Sequence, residues 1–214
     1  MSDKYEMTGE SKVNEWGVTV HRIRALADFP RLGIRKGDTG GWIESVELAN
    51  GDARVSGNAW VSGNAQVYGN AQVSGNARVS GDAWVSGNAR VSGNAQVSGD
   101  AWVYGDAQVS GNAQVYGNAW VYGNAQVESP DHYLLVGPIG SEGVFATLAR
   151  TEKGHILNVG CWTGTLDALE AEVERRSASW DGDDAKRSKW KAQYQALIIL
   201  SEASASTWHA EVAA

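Results

Sequence analysis

Imidazole and thiol groups are the side chains best suited to act as a base, a nucleophile or a metal ligand near neutral pH. The sequence contains four histidines and one cysteine, His21, His132, His155, His209 and Cys161. None of the histidines lies in the central third of the chain, and neither a Ser-His-Asp order nor a phosphate-binding glycine loop accompanies them. The sequence therefore predicts no catalytic residue, no metal site and no cofactor. His132 is expected in a solvated loop, and Cys161 is expected to be a small buried residue.

Net charge and composition indicate which kinds of partner and which cellular compartment to expect. The 214 residues carry a formal net charge of -7, which disfavours nucleic acid and anionic lipid as main partners. A single cysteine permits no intrachain disulfide, and the first ten residues, MSDKYEMTGE, are too charged for a secretory signal. No apolar run approaches the roughly 20 residues that a membrane helix needs. We therefore expect a cytoplasmic protein with no membrane contact.

Residues 51–127 repeat a six-residue unit, Gly-Asn/Asp-Ala-x-Val-Ser/Tyr. Valine occupies every sixth position from Val55 to Val127. Because a period of six is a multiple of two, a strand places all these valines on one face, whereas a helix would scatter them. Gly-Asn and Gly-Asp are turn dipeptides, since glycine and asparagine tolerate positive φ. Each unit therefore predicts a short strand followed by a corner.

The stretch Val-Ser-Gly-Asn-Ala-Trp at 55–60 resembles the hexapeptide repeat of left-handed parallel β-helices. In that family, three units make a triangular coil of about 18 residues. The resemblance implies a mainly β fold, with a left-handed parallel β-helix of about 4 triangular coils. We expect an N-terminal β cap at 1–48, the β-helix at 49–127, an α+β domain at 130–205 and a tail at 206–214.

The flanking segments carry their own signals. Residues 18–23 alternate like a strand, and Trp42 and Ile43 are expected to plug the first coil. Strands are predicted at 133–136, 144–148 and 155–159, followed by a helix capped by Thr165 and another at 185–204. Tyr194, Leu197, Ile198 and Leu200 are expected to pack the second helix onto the sheet. Segments 19–26, 36–44, 135–141 and 160–167 resemble parts of phage and prophage hexapeptide-repeat proteins of undefined role.

If a coil has about 18 residues, residues 18 positions apart lie above one another. One outward column is then Gln66, Trp84, Trp102 and Trp120, and the column beside it is Tyr68, Ser86, Tyr104 and Tyr122. One interpretation is that these rings merely stabilise the coil by same-face contacts. The interpretation that we favour is a protein interface, because Trp and Tyr are preferred anchors. A second copy or the chain's own C-terminal segment is favoured over a foreign ligand at this site.

Acidic residues supply two further candidates. Asp82 and Asp100 fall in one corner column beside the tryptophans, where they are expected to be solvated carboxylates, a weak calcium site or an acidic rim for a basic partner. The loop containing Trp180, Asp181, Asp183 and Asp184 has an exposed-looking tryptophan and is a weaker binding candidate.

Three functions remain open at this point. The first is a non-enzymatic phage or prophage protein that binds and blocks a host protein in the host cytoplasm, such as an anti-CRISPR; its phage origin is implied by the resemblance. The second is an acyltransferase-like enzyme whose site lies between protomers, with His132 as its base. The third is a structural virion or scaffold component. A homo-oligomer, either a dimer or a trimer, is expected because many proteins with this helix form trimers.

Overall fold

A computed structural model describes residues 4–14, 17–30, 33–49 and 52–208. The N-terminal part contains the antiparallel strands β1 (Tyr5–Val13), β2 (Thr19–Ala25) and β3 (Thr39–Ile43). β3 then pairs in parallel with the repeat region, with Ile43 opposite Val61. Ile43 is fully buried and closes the interior of the first coil, as the sequence predicts. Trp42, which was expected to plug the coil with it, instead lies on the outward face of β3 opposite Trp60, where Lys12 and Arg22 lie over its ring. A short 3-10 helix follows at Val46–Leu48.

The repeat region folds into two-residue strands whose second residue is an inward, buried valine. In chain order they are β4 (Arg54–Val55), β5 (Trp60–Val61), β6 (Gln66–Val67), β7 (Gln72–Val73), β8 (Arg78–Val79), β9 (Trp84–Val85), β10 (Arg90–Val91), β11 (Gln96–Val97), β12 (Trp102–Val103), β13 (Gln108–Val109), β14 (Gln114–Val115), β15 (Trp120–Val121) and β16 (Gln126–Val127). The valines stack with the alanines of the corners in one continuous apolar core. This arrangement is a β-solenoid.

The three flanks of the solenoid are parallel sheets. Each strand from β4 to β13 pairs with the strand three units later, so Trp102 lies opposite Trp120. The strand orders are β4-β7-β10-β13-β16, β6-β9-β12-β15 and, continuing from the N-terminal strands, β3-β5-β8-β11-β14. The described residues thus form about five coils rather than about four, because β3 adds a rung beneath β5 and Ala49 bridges to Val67.

A sheet and two helices follow the solenoid in the described chain. The strands β17 (Tyr133–Ile139), β18 (Val144–Thr151), β19 (Gly154–Val159) and β20 (Trp162–Gly164) are antiparallel. The helices α1 (Leu166–Ser177) and α2 (Asp184–Ala205) cover this sheet and share an apolar core with it. β18 also contacts the last coil, where Thr151 bridges to Ala125. The C-terminal sheet therefore covers the far end of the solenoid.

Several details differ from the sequence-based expectations. Thr165 precedes α1 but makes no capping hydrogen bond; instead, the Leu166 amide donates to His155 Nε2 at 3.1 Å. Leu197 is buried on α2 as expected, but Leu200 is 47% exposed and does not pack on the sheet. Residues 209–214 of the predicted tail, including His209, lie outside the described residues. Neither helix in the described part of the chain has an apolar stretch long enough to cross a bilayer.

Candidate protein-binding face of the solenoid

One flank of the solenoid gathers most of the aromatic residues of the repeat. Its strands pair so that Gln66, Trp84, Trp102 and Trp120 form one outward column. The residue after each inward valine forms a second column beside the first. The prediction that every third unit shares a side is therefore confirmed. The aromatic face, as we call it, consists of Gln66, Tyr68, Trp84, Ser86, Trp102, Tyr104, Trp120 and Tyr122.

The rings of the aromatic face are stacked along the solenoid axis. The centroids of Trp84 and Trp102 are 5.0 Å apart with an interplanar angle of 5°, and those of Trp102 and Trp120 are 5.4 Å apart at 16°. The Tyr104 and Tyr122 rings are 4.9 Å apart at 6°. Each ring pair contributes about 0.5–1.5 kcal/mol beyond the area it buries. The stack therefore makes this flank rigid as well as apolar.

Stacking decides which part of each ring is open to a ligand. Trp102 has a neighbouring indole on both of its faces, and the outer face of Trp84 meets the Tyr68 ring edge-on at 5.7 Å. Trp102 is still 36% exposed, and this exposure lies along the ring edge. A nucleobase binds aromatic side chains by stacking on an open ring face, and the middle of this column offers none. Side chains of a protein surface can pack against such edges.

Carboxylates border the aromatic face on both sides. Asp82 and Asp100 lie in the corner before the tryptophan column, and Asp106 lies in the corner after the tyrosine column. All three are exposed. The face itself contains no Lys or Arg, because the arginines of the repeat lie on the other two flanks. Sequence reasoning missed Asp106, although reading the second corner column in the same way would have found it.

Asparagines at the corners form hydrogen-bonded columns that the aspartates interrupt. The Asn76 amide donates to Asn94 and the Asn94 amide to Asn112, each at 3.1 Å. Asn64 donates in the same way to Asp82 at 3.0 Å. A carboxylate has no N–H with which to continue the column. The carboxylate of Asp82 therefore lies next to that of Asp100 in the following coil, and no hydrogen bond joins them.

We expect the substitution Asp82→Asn to raise the melting temperature. The new amide can donate to Asp100, and the repulsion between two carboxylates disappears, which together stabilise the fold by on the order of 1 kcal/mol. Thermal denaturation at low and high salt measures the gain, which should shrink as salt screens the repulsion. Asp181→Asn, at an exposed acid away from the solenoid, is the control and should leave the melting temperature unchanged. Equal effects of the two variants would contradict the interaction.

The C-terminal sheet touches one end of the aromatic face. The Tyr122 hydroxyl is hydrogen-bonded to the Thr163 hydroxyl, and the Trp120 amide donates to Thr147 Oγ1 at 3.0 Å. Burial raises the pKa of Tyr104, and the neighbouring Tyr122 adds to this rise, so the Tyr104 hydroxyl stays neutral at physiological pH. The part of the face that faces solvent is therefore centred on Trp102.

The acidic loop between the helices is not the exposed aromatic loop that its sequence indicates. Trp180 is only 8% exposed and packs between Trp190, edge-on at 5.8 Å, and Tyr194, stacked at 5.8 Å. Asp183 accepts a hydrogen bond from the Lys186 amide at 2.8 Å and so caps α2. Asp181 and Asp184 are exposed, but Trp180, the tryptophan of their own loop, is not accessible beside them. The expectation of an exposed Trp180 is wrong, because the indole belongs to the core beneath the helices.

Two of the residues with nucleophile or base chemistry, His132 and Cys161, are also placed differently from expectation. His132 is 4% exposed, and its Nδ1 accepts a hydrogen bond from the Glu128 amide at 3.2 Å, so it is a buried residue and not a solvated one. An acyltransferase base needs an imidazole that opens into a groove, and His132 is enclosed. Cys161 is exposed rather than buried, because it lies in the turn before β20. Among the described residues, no cluster of three or more His, Cys, Asp or Glu could hold a metal ion.

Comparison with known families finds a match within the solenoid. A family model described as YdcK Beta solenoid repeat matches residues 71–87, 83–97, 95–111, 107–120 and 113–129. No curated protein matches the chain. The matched residues include Trp84, Trp102 and Trp120, together with the corners that hold the three aspartates.

Proposed function

We propose that this chain is a non-enzymatic binding protein that covers part of another protein's surface with its aromatic face. The observation that carries this proposal is a flat stack of indole and phenol edges, free of cations and bordered by carboxylates on both sides. Trp and Tyr are enriched among the residues that dominate binding energy at protein interfaces. Charges around such a patch orient the partner and speed its association. A rigid patch also loses little conformational entropy on binding.

The charge pattern favours a particular kind of partner. A surface with an apolar centre and Lys or Arg at its border would place its cations against Asp82, Asp100 and Asp106. A second copy of the same face would instead bring like charges together. A different, basic protein surface therefore fits the aromatic face better than self-association does. We propose that assembly into a dimer or trimer uses another surface.

The biological setting and the finer fold assignment belong to the same proposal. The likeness of the flanking segments to phage and prophage proteins supports a phage-encoded inhibitor that occupies a host protein in the host cytoplasm, and an anti-CRISPR is one form of such an inhibitor. The six-residue unit, with strands paired at a step of 18 positions, supports a left-handed hexapeptide-repeat helix. The division into a cap, a solenoid and a C-terminal α+β domain follows the order of the elements.

We expect substitutions on the aromatic face to abolish partner binding selectively. The immobilised wild-type chain would be used to capture a partner from bacterial lysate, and the identified partner would then be titrated against Trp102→Ser and Asp100→Lys. Because a central tryptophan typically contributes 2 kcal/mol or more, Trp102→Ser should weaken binding by about thirtyfold or more. Asp100→Lys should mainly slow association.

Tyr116→Ser provides the matched control. Tyr116 is 57% exposed but lies on a different flank of the solenoid, so its removal should leave the dissociation constant unchanged. Thermal melts of all variants separate loss of binding from loss of folding. A partner that binds Trp102→Ser and Tyr116→Ser equally well would disprove the role of the aromatic face.

A further inference from the structure

A cavity of about 330 Å³ lies at the N-terminal end of the solenoid, beneath β4. Its volume falls within the roughly 300–1,000 Å³ of typical ligand sites. The apolar part of the wall comes from β2, from the segment after β2 and from β4. These apolar residues include Ile23, Ala25, Phe29, Ile34 and Val55. The cavity is remote in sequence from the aromatic face, and its role does not depend on the function proposed above.

The cavity lies along the edge of one solenoid sheet. On the other two flanks the lowest repeat strand is covered, since β3 pairs with β5 and Ala49 bridges to Val67 of β6. β4 has β7 as its neighbour on one side, and within the described residues no strand pairs with its other side. A sheet edge next to an apolar cavity can accept an additional strand.

At β4, one backbone carbonyl and one backbone amide, those of Ala53 and Val55, point towards the position that an additional strand would occupy. The orientation follows from the neighbouring residues. The Arg54 and Ser56 amides donate to Ala71 O and Val73 O of the next coil, each at 2.9 Å. Because successive residues of a strand direct their backbone groups to opposite sides, the Ala53 carbonyl and the Val55 amide point the other way. Neither forms a hydrogen bond with the rest of the described chain. A partly buried backbone group without a partner is unfavourable.

The surroundings limit what can occupy the rung. Gly40 lies so close to the Val55 carbonyl that an added Cβ would be 2.8 Å from this oxygen, which leaves Ala53 O and Val55 N–H as the open pair. Three of the four charged side chains at the rim already interact within the chain, since Lys4 forms an ion pair with Asp52 at 2.6 Å and Asp38 accepts from the Arg35 amide at 2.8 Å. The fourth is Arg54, which lies beside the open backbone pair. The fitting ligand therefore carries both an N–H donor and a carbonyl acceptor, and it brings no further cation next to Lys4 and Arg54.

We propose that this cavity binds an extended peptide segment without Lys or Arg, which adds one rung below β4 and places an aliphatic side chain against Ile23, Phe29 and Ile34. One peptide residue would donate its N–H to Ala53 O and accept from Val55 N–H, as the parallel register of Arg54 with Gln72 does one coil further on. Strand addition of this kind draws affinity from backbone hydrogen bonds and specificity from side-chain pockets. A compact apolar molecule would fill the volume but leave both backbone groups unpaired.

The first test compares peptides on the wild-type chain. The probe is a fluorescently labelled, capped peptide with the sequence of one repeat, Gly-Asn-Ala-Gln-Val-Ser, titrated by fluorescence anisotropy. In the proposed register the glutamine amide faces Ala53 O, whereas the valine amide faces away from β4. N-methylation of the glutamine should therefore weaken binding by about tenfold or more, because it removes a hydrogen bond and adds a clash. N-methylation of the valine should leave affinity within about threefold.

The second test places the binding in the cavity. Ala25→Phe adds a ring to the cavity wall and should weaken peptide binding by about tenfold or more, whereas Ala196→Phe adds the same ring at an exposed position of α2 and should not. Melting temperatures establish that both variants fold. Any of three results would overturn the proposal: no binding of the unmodified peptide up to about 1 mM, equal affinity of the two N-methylated peptides, or undiminished binding by folded Ala25→Phe.

Discussion

Gly93→Ala is expected to destabilise the solenoid severely, whereas Gly117→Ala is expected to be mild. Both glycines have φ +66°, so each alanine variant incurs the cost of about 1–2 kcal/mol for a left-handed residue. A Cβ at Gly93 would also lie 2.9 Å from the backbone N and O of Gly111, whereas at Gly117 the nearest atom is a Leu135 methyl at 3.4 Å. Only the first variant forces the neighbouring coils apart.

The coil above Gly93 has little freedom to move. The Asn94 amide donates to the Gly111 carbonyl at 2.8 Å, so relieving the contact lengthens a bond that holds two coils together. We expect a loss of about 3 kcal/mol or more for Gly93→Ala and roughly half of that for Gly117→Ala. Urea unfolding followed by circular dichroism measures both variants. Equal losses would mean that the positive φ alone, and not the close stacking of the coils, requires glycine at the corners.

The arrangement of the solenoid could be predicted from the sequence because it depends on local periodicity. The six-residue step places each valine inward, and stacking at 18 positions then brings Trp84, Trp102 and Trp120 into one column. No long-range contact has to be guessed, since each coil is covered by a copy of itself. The additional rung was missed because it comes from outside the repeat, where Trp42 and Ile43 pair with the first full coil.

The errors concern residues whose environment is set by distant parts of the chain. Trp180 is in a polar, acidic stretch, yet contacts with Trp190 and Tyr194 bury it. His132 lies next to Pro130-Asp131, a typical loop signal, but it is buried and accepts a hydrogen bond from the Glu128 amide just after the last repeat strand. Strand β1 gave no signal because its central residues, Thr8 to Lys12, lack alternating apolar side chains; it forms by pairing with β2. Local patterns cannot report such tertiary contacts.

The aromatic face could be predicted from the sequence only in part. Its rings follow from the repeat, but the ring orientation does not, and the orientation decides which ligands fit. Stacked indoles at 5.0 and 5.4 Å cover one another's faces, which favours a protein surface over a base that must stack. The same tight stacking of coils that requires glycine at Gly93 also sets this ring spacing. Rigidity and binding chemistry therefore have one structural origin.

Trp208→Ala is expected to loosen α2 from the C-terminal sheet and from the turn that follows the last repeat strand. Trp208 is 2% exposed and packs in the core that contains Leu197, and its Nε1 donates to Asp131 O at 2.8 Å. It therefore links the segment after α2 to the turn that ends the repeat, Pro130–His132. Loss of a buried indole costs about 3–5 kcal/mol, and the remaining contacts of the solenoid are unchanged.

Because the solenoid core does not depend on Trp208, its unfolding and that of the helices should separate. We expect the helical circular dichroism signal of Trp208→Ala to be lost at a lower temperature than the β signal. In the wild-type chain, the two midpoint temperatures should lie closer together. Leu200→Ala removes an exposed apolar side chain from α2 and should change stability by no more than about 0.5 kcal/mol. If Trp208→Ala melts like Leu200→Ala, the contacts of α2 with α1 and β17 are sufficient to hold the C-terminal helices in place.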